Sequence, residues 1–278
     1  MPLPPIRAAI AALAVIASST AALADGDVTA VVSGKLLTLT GDAESNHVAI
    51  TSGGATNAFT VTPLDGTTLN GSAAPATFLH VRSIAALMGA GDDRVDFTNV
   101  HVAGSVRIRL DDGNDSAYFT GVTVDGRTTV RCGAGTDTVR TDGNSIFYGP
   151  VNVRGEAGND ELQFVASQFR DRLHVEGNND DDHILLSGIV CSETARAEIY
   201  AARGFDSCEI LNCQFATDVY VDMGPEDDRL RIAGSRFGRD LGAYGGPGVH
   251  DALSLEAGNV FVRFQDYNGF EEGQPTLP

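Results

Sequence analysis

The chain has 278 residues and carries 37 acidic against 19 basic side chains, a formal net charge of −18. That balance excludes nucleic acid, whose phosphates such a surface repels, and opposes anionic membrane surfaces; it admits metal cations and keeps an extended protein soluble. Apolar residues make up 42%, enough for a buried core, while Gly is abundant (32 residues) and Trp absent.

Residues 1–24 read as a signal peptide. Arg7 supplies the positive start, an apolar run follows from Ala8 to Ala17, and Ala22-Leu23-Ala24 forms an A-x-A cleavage site, so the mature chain is expected to begin near Asp25. The run is shorter than the ~20 residues of a membrane-spanning helix. The expectation is an exported protein, extracellular, at the cell surface or periplasmic, with no integral membrane contact.

Residues 25–88 predict an N-terminal cap and the first irregular coil. Leu37, Leu39, Val48 and Ile50 alternate around Gly41–Asn46, and Asn46 stands where later turns carry Asp. Thr51 to Pro75 reads as a hairpin or long loop. Ile84, Ala86 and Met88 then match Val106, Ile108 and Leu110 one period later.

From residue 89 the chain repeats. Asp93, Asp115, Asp137, Asp160, Asp182, Asp206, Asp228 and Asp251 are separated by 22, 22, 23, 22, 24, 22 and 23 residues, and each begins an Asp-x-apolar step. Such a period marks a solenoid or propeller. Within the first unit, Val95, Phe97, Val100, Val102, Val106, Ile108 and Leu110 fall into short runs of period two, the signature of strands. The unit beginning at Asp182 places Ala195, Ala197 and Ile199 where the first has Val106, Ile108 and Leu110. A one-residue slip is expected near Tyr148-Gly149-Pro150. Three short strands per 22 residues, with no helical pattern between them, predict an all-β parallel β-helix of eight to ten coils, stacked at ~4.8 Å. An antiparallel sandwich also has short, evenly spaced strands, but it does not require the same turn residue every 22 positions. At the C-terminal end Val260 and Phe264 continue the pattern, and Phe261, Tyr267 and Phe270 are expected to cover the last coil.

Cys132, Cys191, Cys208 and Cys213 all fall on inward positions. Cys191 and Cys213 are offset along neighbouring strands by roughly 8 Å, beyond the ~7 Å reach of a disulfide, so buried free thiols are expected.

The corner carries the sharpest local motif: Gly89-Ala90-Gly91-Asp92-Asp93, Gly133-Ala134-Gly135-Thr136-Asp137 and Glu156-Ala157-Gly158-Asn159-Asp160, with Asp111-Asp112-Gly113-Asn114-Asp115 close behind. It resembles the haemolysin-type (RTX) nonapeptide, which binds Ca²⁺ between stacked turns. The resemblance implies Ca²⁺ as cofactor, held by the carboxylates of Asp93, Asp115, Asp137 and Asp160 and the backbone of Gly91, Gly113, Gly135 and Gly158. Independently, carboxylates stacked ~5 Å apart repel by about 1 kcal/mol per pair in water, and a divalent ion would reverse that sign. Two features depart from the motif: it recurs every 22 residues instead of nine, and later copies such as Asp180-Asp181-Asp182 lose their glycines. A turn in which Gly supplies positive φ and Asp bonds a nearby N–H as an Asx-turn accounts for the same residues without a metal.

Coil length and strand pattern also resemble right-handed, pectate-lyase-like β-helix proteins, some of which are polysaccharide lyases or hydrolases. Acidic pairs suited to hydrolysis are present, as in Asp92-Asp93, Asp181-Asp182 and Asp227-Asp228, but all lie on the repeating turn, which already explains them. Arg107, Arg109, Arg131 and Arg154 could form a partial basic strip, or pair with carboxylates as solvated outward residues. The six histidines are scattered without metal-binding spacing. No catalytic residue is assigned. The expectation is an exported, non-catalytic solenoid with a structural, adhesive or carbohydrate-binding role and a carbohydrate or cell-surface partner; the alternative is a polysaccharide lyase or glycoside hydrolase on the same fold. A cleft in which Asp or Glu, Arg and His converge off the repeat would favour the enzyme.

Overall fold

The structure, a computed structural model, describes residues 26–263 and 265–271. The leader read at residues 1–24 and Phe264 lie outside them. Among the described residues every regular element is a strand.

Alternation of apolar and polar residues sets the strands, and the 22-residue period sets their stacking. Arg94–Thr98, His101–Val102 and Val106–Asp112 make one coil. Each pairs in parallel with its counterpart in the next coil: Val95 lies beside Ala117, Val102 beside Val124, and Val106 beside Thr128. Repetition builds three sheets of 12, 11 and 8 strands, the last contributing one strand per coil. The chain is therefore a parallel β-solenoid of about eight coils.

Inward positions form continuous ladders. Val95, Ala117, Val139, Leu162, Ile184, Cys208, Leu230 and Leu253 are all buried. Phenylalanines stack coil on coil, with ring centroids 5.2 Å apart for Phe97–Phe119, 5.4 Å for Phe147–Phe169 and 5.3 Å for Phe215–Phe237. A single coil has no second face to pack against, so this burial, worth roughly 1.5–3 kcal/mol per large side chain, exists only in the stack. All four cysteines are buried and free.

Three register expectations are corrected. In the coil begun by Asp182, Ala197 and Ile199 sit beside Leu173 and Val175. They therefore take the places of Val106 and Ile108, and Ala201 takes that of Leu110. The turn at Ser192–Ala195 absorbs two extra residues and moves the strand. The one-residue slip lies at Gly143-Asn144, ahead of Ile146, because Thr120 still pairs with Asp142 while Thr123 pairs with Ile146. At the far end Phe261, not Val260, takes the inward place and stacks on Phe237 at 5.2 Å.

The N-terminal cap is antiparallel. Asp27–Ser33 pairs with Leu36–Thr40, and His47–Ser52 forms a hairpin with Phe59–Leu64, which pairs in turn with Ala76–Phe78. Leu36–Thr40 and His47–Ser52 then hand over to the parallel stack through Ser83–Ala90 and Arg94–Thr98.

Candidate functional site: a buried aspartate ladder

The eight repeat aspartates point into the solenoid, and none is more than 3% exposed. Each uses Oδ1 to accept the backbone N–H of the aspartate one coil earlier. Asp115 accepts from Asp93 at 2.6 Å, Asp137 from Asp115 at 2.7 Å, Asp160 from Asp137 at 2.9 Å and Asp182 from Asp160 at 2.8 Å. Asp206, Asp228 and Asp251 continue at 2.7, 2.8 and 2.8 Å. Asn46 donates its N–H to Asp93 at the first step (2.7 Å), and Glu271 accepts from Asp251 at the last (3.0 Å). The bond expected inside each turn is thus an inter-coil bond, spanning 22 to 24 residues between aspartates.

The turn geometry explains the glycines. Gly91, Gly113, Gly135 and Gly158 have φ of +104°, +152°, +136° and +114°, values strained for any residue with a Cβ. A Cβ on Gly113 would also collide with the Gly91 carbonyl, and the same clash recurs at Gly135 and Gly158.

The second carboxylate oxygen of every repeat aspartate is buried without a hydrogen-bond partner. In the Asp160 and Asp182 coils the residues five positions earlier are Gly155 and Gly177, and the carboxylate fills the space their side chains would take. There Asp160 Oδ2 and the Gly177 carbonyl oxygen both lie within 2.7 Å of the point a Gly155 Cβ would occupy, and Asp182 Oδ2 and the Ala201 carbonyl crowd Gly177 alike. Elsewhere this place is held by Met88, Leu110, Cys132 and Met223. Burial raises the acids first, and neighbouring carboxylates add to it, against the lowering effect of the accepted N–H. Asp93, Asp115, Asp137 and Asp160 rise to about 7, Asp182 and Asp228 to about 8 and Asp206 to about 6. On Asp160 and Asp182, where a carbonyl oxygen lies near the same point, a proton on the free oxygen would give an otherwise orphaned atom a partner.

Of the expected calcium ligands, Asp93, Asp115, Asp137 and Asp160 each have Oδ1 bonded to a backbone N–H and Oδ2 buried. Ca²⁺ takes six to eight oxygens at about 2.3–2.6 Å. On Asp115 the oxygen that lies toward the glycine turn, 3.0 Å from where a Gly113 Cβ would stand, is the one already bonded to Asp93 N–H. The remaining oxygen is buried without a hydrogen-bond partner.

A second ladder, unforeseen from sequence, runs outside the first and in the opposite sense. Asp92 accepts from Asn114 N–H at 2.9 Å, Asn114 from Thr136 at 2.9 Å, Asn159 from Asp181 at 3.1 Å, Asp181 from Phe205 at 2.8 Å and Asp227 from Val249 at 2.9 Å. The acidic pairs at the turns are therefore one member of each ladder. The signal was available: the residue before each ladder Asp is Asp or Asn in five of the eight turns.

Of the arginines, Arg109 bonds Asp111 at 2.7 Å, Arg154 bonds Glu176 at 3.0 Å and Arg131 stands 3.9 Å from Glu156. Arg107 has no such partner among the described residues. The histidines remain dispersed over the surface.

Off the repeat, one recess of about 540 Å³ opens between cap and first coil, lined by Glu44, His47, Asp65, Thr67, Asp92 and Arg94. His47 bridges Asp65 (2.7 Å) and Asp96 (3.0 Å), and Arg94 bonds Asp96 at 3.0 Å. Both imidazole nitrogens are thereby occupied.

Fold and ladder together define an all-β parallel solenoid with a buried acid spine. No protein-family model, curated protein or solved structure matches the chain. The likeness to pectate-lyase-like and RTX proteins rests on coil length and turn composition alone.

Proposed function

We propose that the protein is an exported, non-catalytic β-solenoid acting as a rigid structural or adhesive rod at or beyond the cell surface. One observation carries this reading: the repeat aspartates are committed to holding coil to coil, Oδ1 of each from Asp115 to Asp251 accepting a backbone N–H of the coil before at 2.6–2.9 Å. The leader-like N-terminal segment supports export. A sugar platform is less well supported. Tyr200, Tyr220 and Tyr244 stand in file on the outer face with centroids 5.5 and 5.2 Å apart and ring planes tilted by 42° and 36°, so they do not form one flat stacking surface.

The recess at His47 favours a second reading, a polysaccharide lyase or hydrolase, because His, Arg and carboxylates converge there off the repeat. Incubation with acidic and neutral polysaccharides, followed by reducing ends and unsaturated uronate absorbance, tests both. The rod predicts no product. Product that disappears in Asp65→Asn, a substitution at a residue whose side chain is 83% exposed and so dispensable for folding, would overturn it.

A further inference from the structure

The outer face of the longest sheet is electrostatically polarised along the solenoid axis. In its N-terminal half the outward residues are Arg107 and Arg109, then Thr129 and Arg131, then Asn152 and Arg154, with Asp111, Asp112 and Glu156 at the ends of these strands offsetting part of the positive charge. In its C-terminal half they are Glu198 and Tyr200, Tyr220 and Asp222, Gly242 and Tyr244, then Asp266. His174 and Glu176, on Leu173–Asn179, stand at the middle. Along the sheet edge Arg127, Arg172 and Arg196 come first and Asp218 and Asp240 follow, Arg172 and Arg196 both pairing with Glu198. Two shallow recesses mark the poles. One, of about 360 Å³, is lined by Arg107, Arg127 and Arg131; the other, of about 250 Å³, by Asp218, Tyr220, Asp240, Tyr244 and Asp266 with Arg196. Arg107 and Arg127 are exposed and pair with no carboxylate among the described residues, on a chain that carries 37 acidic side chains.

We propose that this face binds a second copy of the same chain, in an antiparallel two-fold dimer centred on Leu173–Asn179. A two-fold axis parallel to the strands keeps each side-chain row facing its own equivalent while reversing the order of coils. Val106–Asp112 then faces Leu241–Tyr244, and Thr128–Ala134 faces Val219–Asp222. Arg131 meets Asp222, Arg127 meets Asp218, and Arg107 meets the Tyr244 ring, which leans over Gly242 in position for a cation–π contact. Every such contact occurs twice, because the interface is isologous. An axis parallel to the solenoid would instead oppose arginine to arginine, so the charge pattern selects the antiparallel form. Seven strands at ~4.8 Å and roughly 15 Å of width cover on the order of 900 Å² over both partners, at the lower limit for a specific interface. The dimer is accordingly weak and salt-sensitive.

The proposal rests on the reading of the chain as a structural rod; product-release assays test that reading separately and do not depend on oligomeric state. Sedimentation equilibrium over a concentration series, at low salt and at 0.5 M NaCl, measures association directly. We expect a monomer–dimer equilibrium that weakens with salt. Asp222→Arg and Arg131→Asp should each weaken it roughly tenfold or more, and the double variant Arg131→Asp/Asp222→Arg should restore it. Both residues lie on the outer face, and circular dichroism confirms that the variants fold. A monomer at every concentration overturns the proposal, as does a dimer indifferent to all three variants. Retention of an anionic polysaccharide by Arg127 and Arg131 on a monomer would also overturn it, in favour of a glycan site.

Discussion

Replacing Asp137 by Asn separates a neutral acid spine from an ionised, cation-loaded one. Asn keeps the oxygen that accepts Asp115 N–H at 2.7 Å and places an N–H₂ where a protonated acid would carry its O–H. Asp137 rises to about 7 in the folded chain, with burial as the leading cause, against ~3.9 unfolded. The folded state therefore holds a proton that the unfolded state has released over this window, so stability falls as pH rises. The contribution is fully present below about pH 4 and is lost as pH climbs through the folded value near 7. At 1.36 kcal/mol per pH unit the ceiling is roughly 4 kcal/mol for one carboxyl. Neighbours share protons along the ladder, so about 2 kcal/mol is the expected effect of relieving a single site. The amide introduced by Asp137→Asn does not titrate.

Urea or thermal melts of wild type and Asp137→Asn at pH 4.5 and pH 8, with and without millimolar Ca²⁺, check this. At pH 4.5 the two should agree within ~1 kcal/mol. At pH 8 the variant should be the more stable, by about 2 kcal/mol or some 4–8 °C in Tm. Wild type should lose stability relative to the variant across that range. A variant less stable than wild type at pH 8 would refute the reasoning. So would a large Ca²⁺-dependent rise in wild-type Tm that Asp137→Asn removes, and in that case the ladder would be a calcium site after all.

Two further substitutions probe the corners. Gly135→Ala places a Cβ at φ +136° and against the Gly113 carbonyl; a loss of more than ~3 kcal/mol, or failure to fold, is expected in chemical denaturation. Cys213→Ser should be nearly neutral, within ~1 kcal/mol in the same assay. Its Sγ already donates to the Leu186 and Leu211 carbonyls at 3.3 and 3.2 Å, and in the next coil Ser235 Oγ donates to Ile210 and Ala233 at 3.2 and 3.1 Å.

The solenoid was legible because its period is carried by inward residues that each coil repeats: Val95, Ala117 and Val139 had to lie side by side for any of them to be buried. The register of the Asp182 coil was not legible. Ala195, Ala197, Ile199 and Ala201 are all apolar and all buried, so shifting the strand by two residues leaves the pattern unchanged, and only the turn at Ser192–Thr194 decides. The aspartate ladder was legible as a row but not in its direction. An Asp at a corner can face solvent, its own turn or the neighbouring coil, and spacing alone does not distinguish these. In the Asp160 and Asp182 coils what distinguishes them is the glycine five positions earlier, Gly155 or Gly177, which leaves the carboxylate an interior place to occupy. The arginines of the outer face were legible as a partial basic strip, but its tyrosine- and aspartate-bearing counterpart was not, because Tyr220, Asp222 and Tyr244 share a surface with them only once the register is known.

Two ladders of opposite sense explain why the ends of the stack carry the residues they do. The inner ladder binds each coil's N–H to the carboxyl of the following coil, and the outer ladder, broken at Asn159 and Asp227, binds a neighbouring N–H to the side chain of the preceding one. Truncation at either end therefore leaves one set of donors and one set of acceptors open. At the N-terminal end the ladder place is taken by Asn46, which donates its N–H to Asp93 but adds no charge next to it. Ser45 accepts the Asp92 N–H at 3.0 Å and so starts the outer ladder. At the other end the longer Glu271 accepts the Asp251 N–H at 3.0 Å. A solenoid joined only by sheet pairing could stop at any coil. One joined by directional side-chain bonds needs a residue of suitable reach and charge to close each ladder, the place Asn46 and Glu271 take in the inner one.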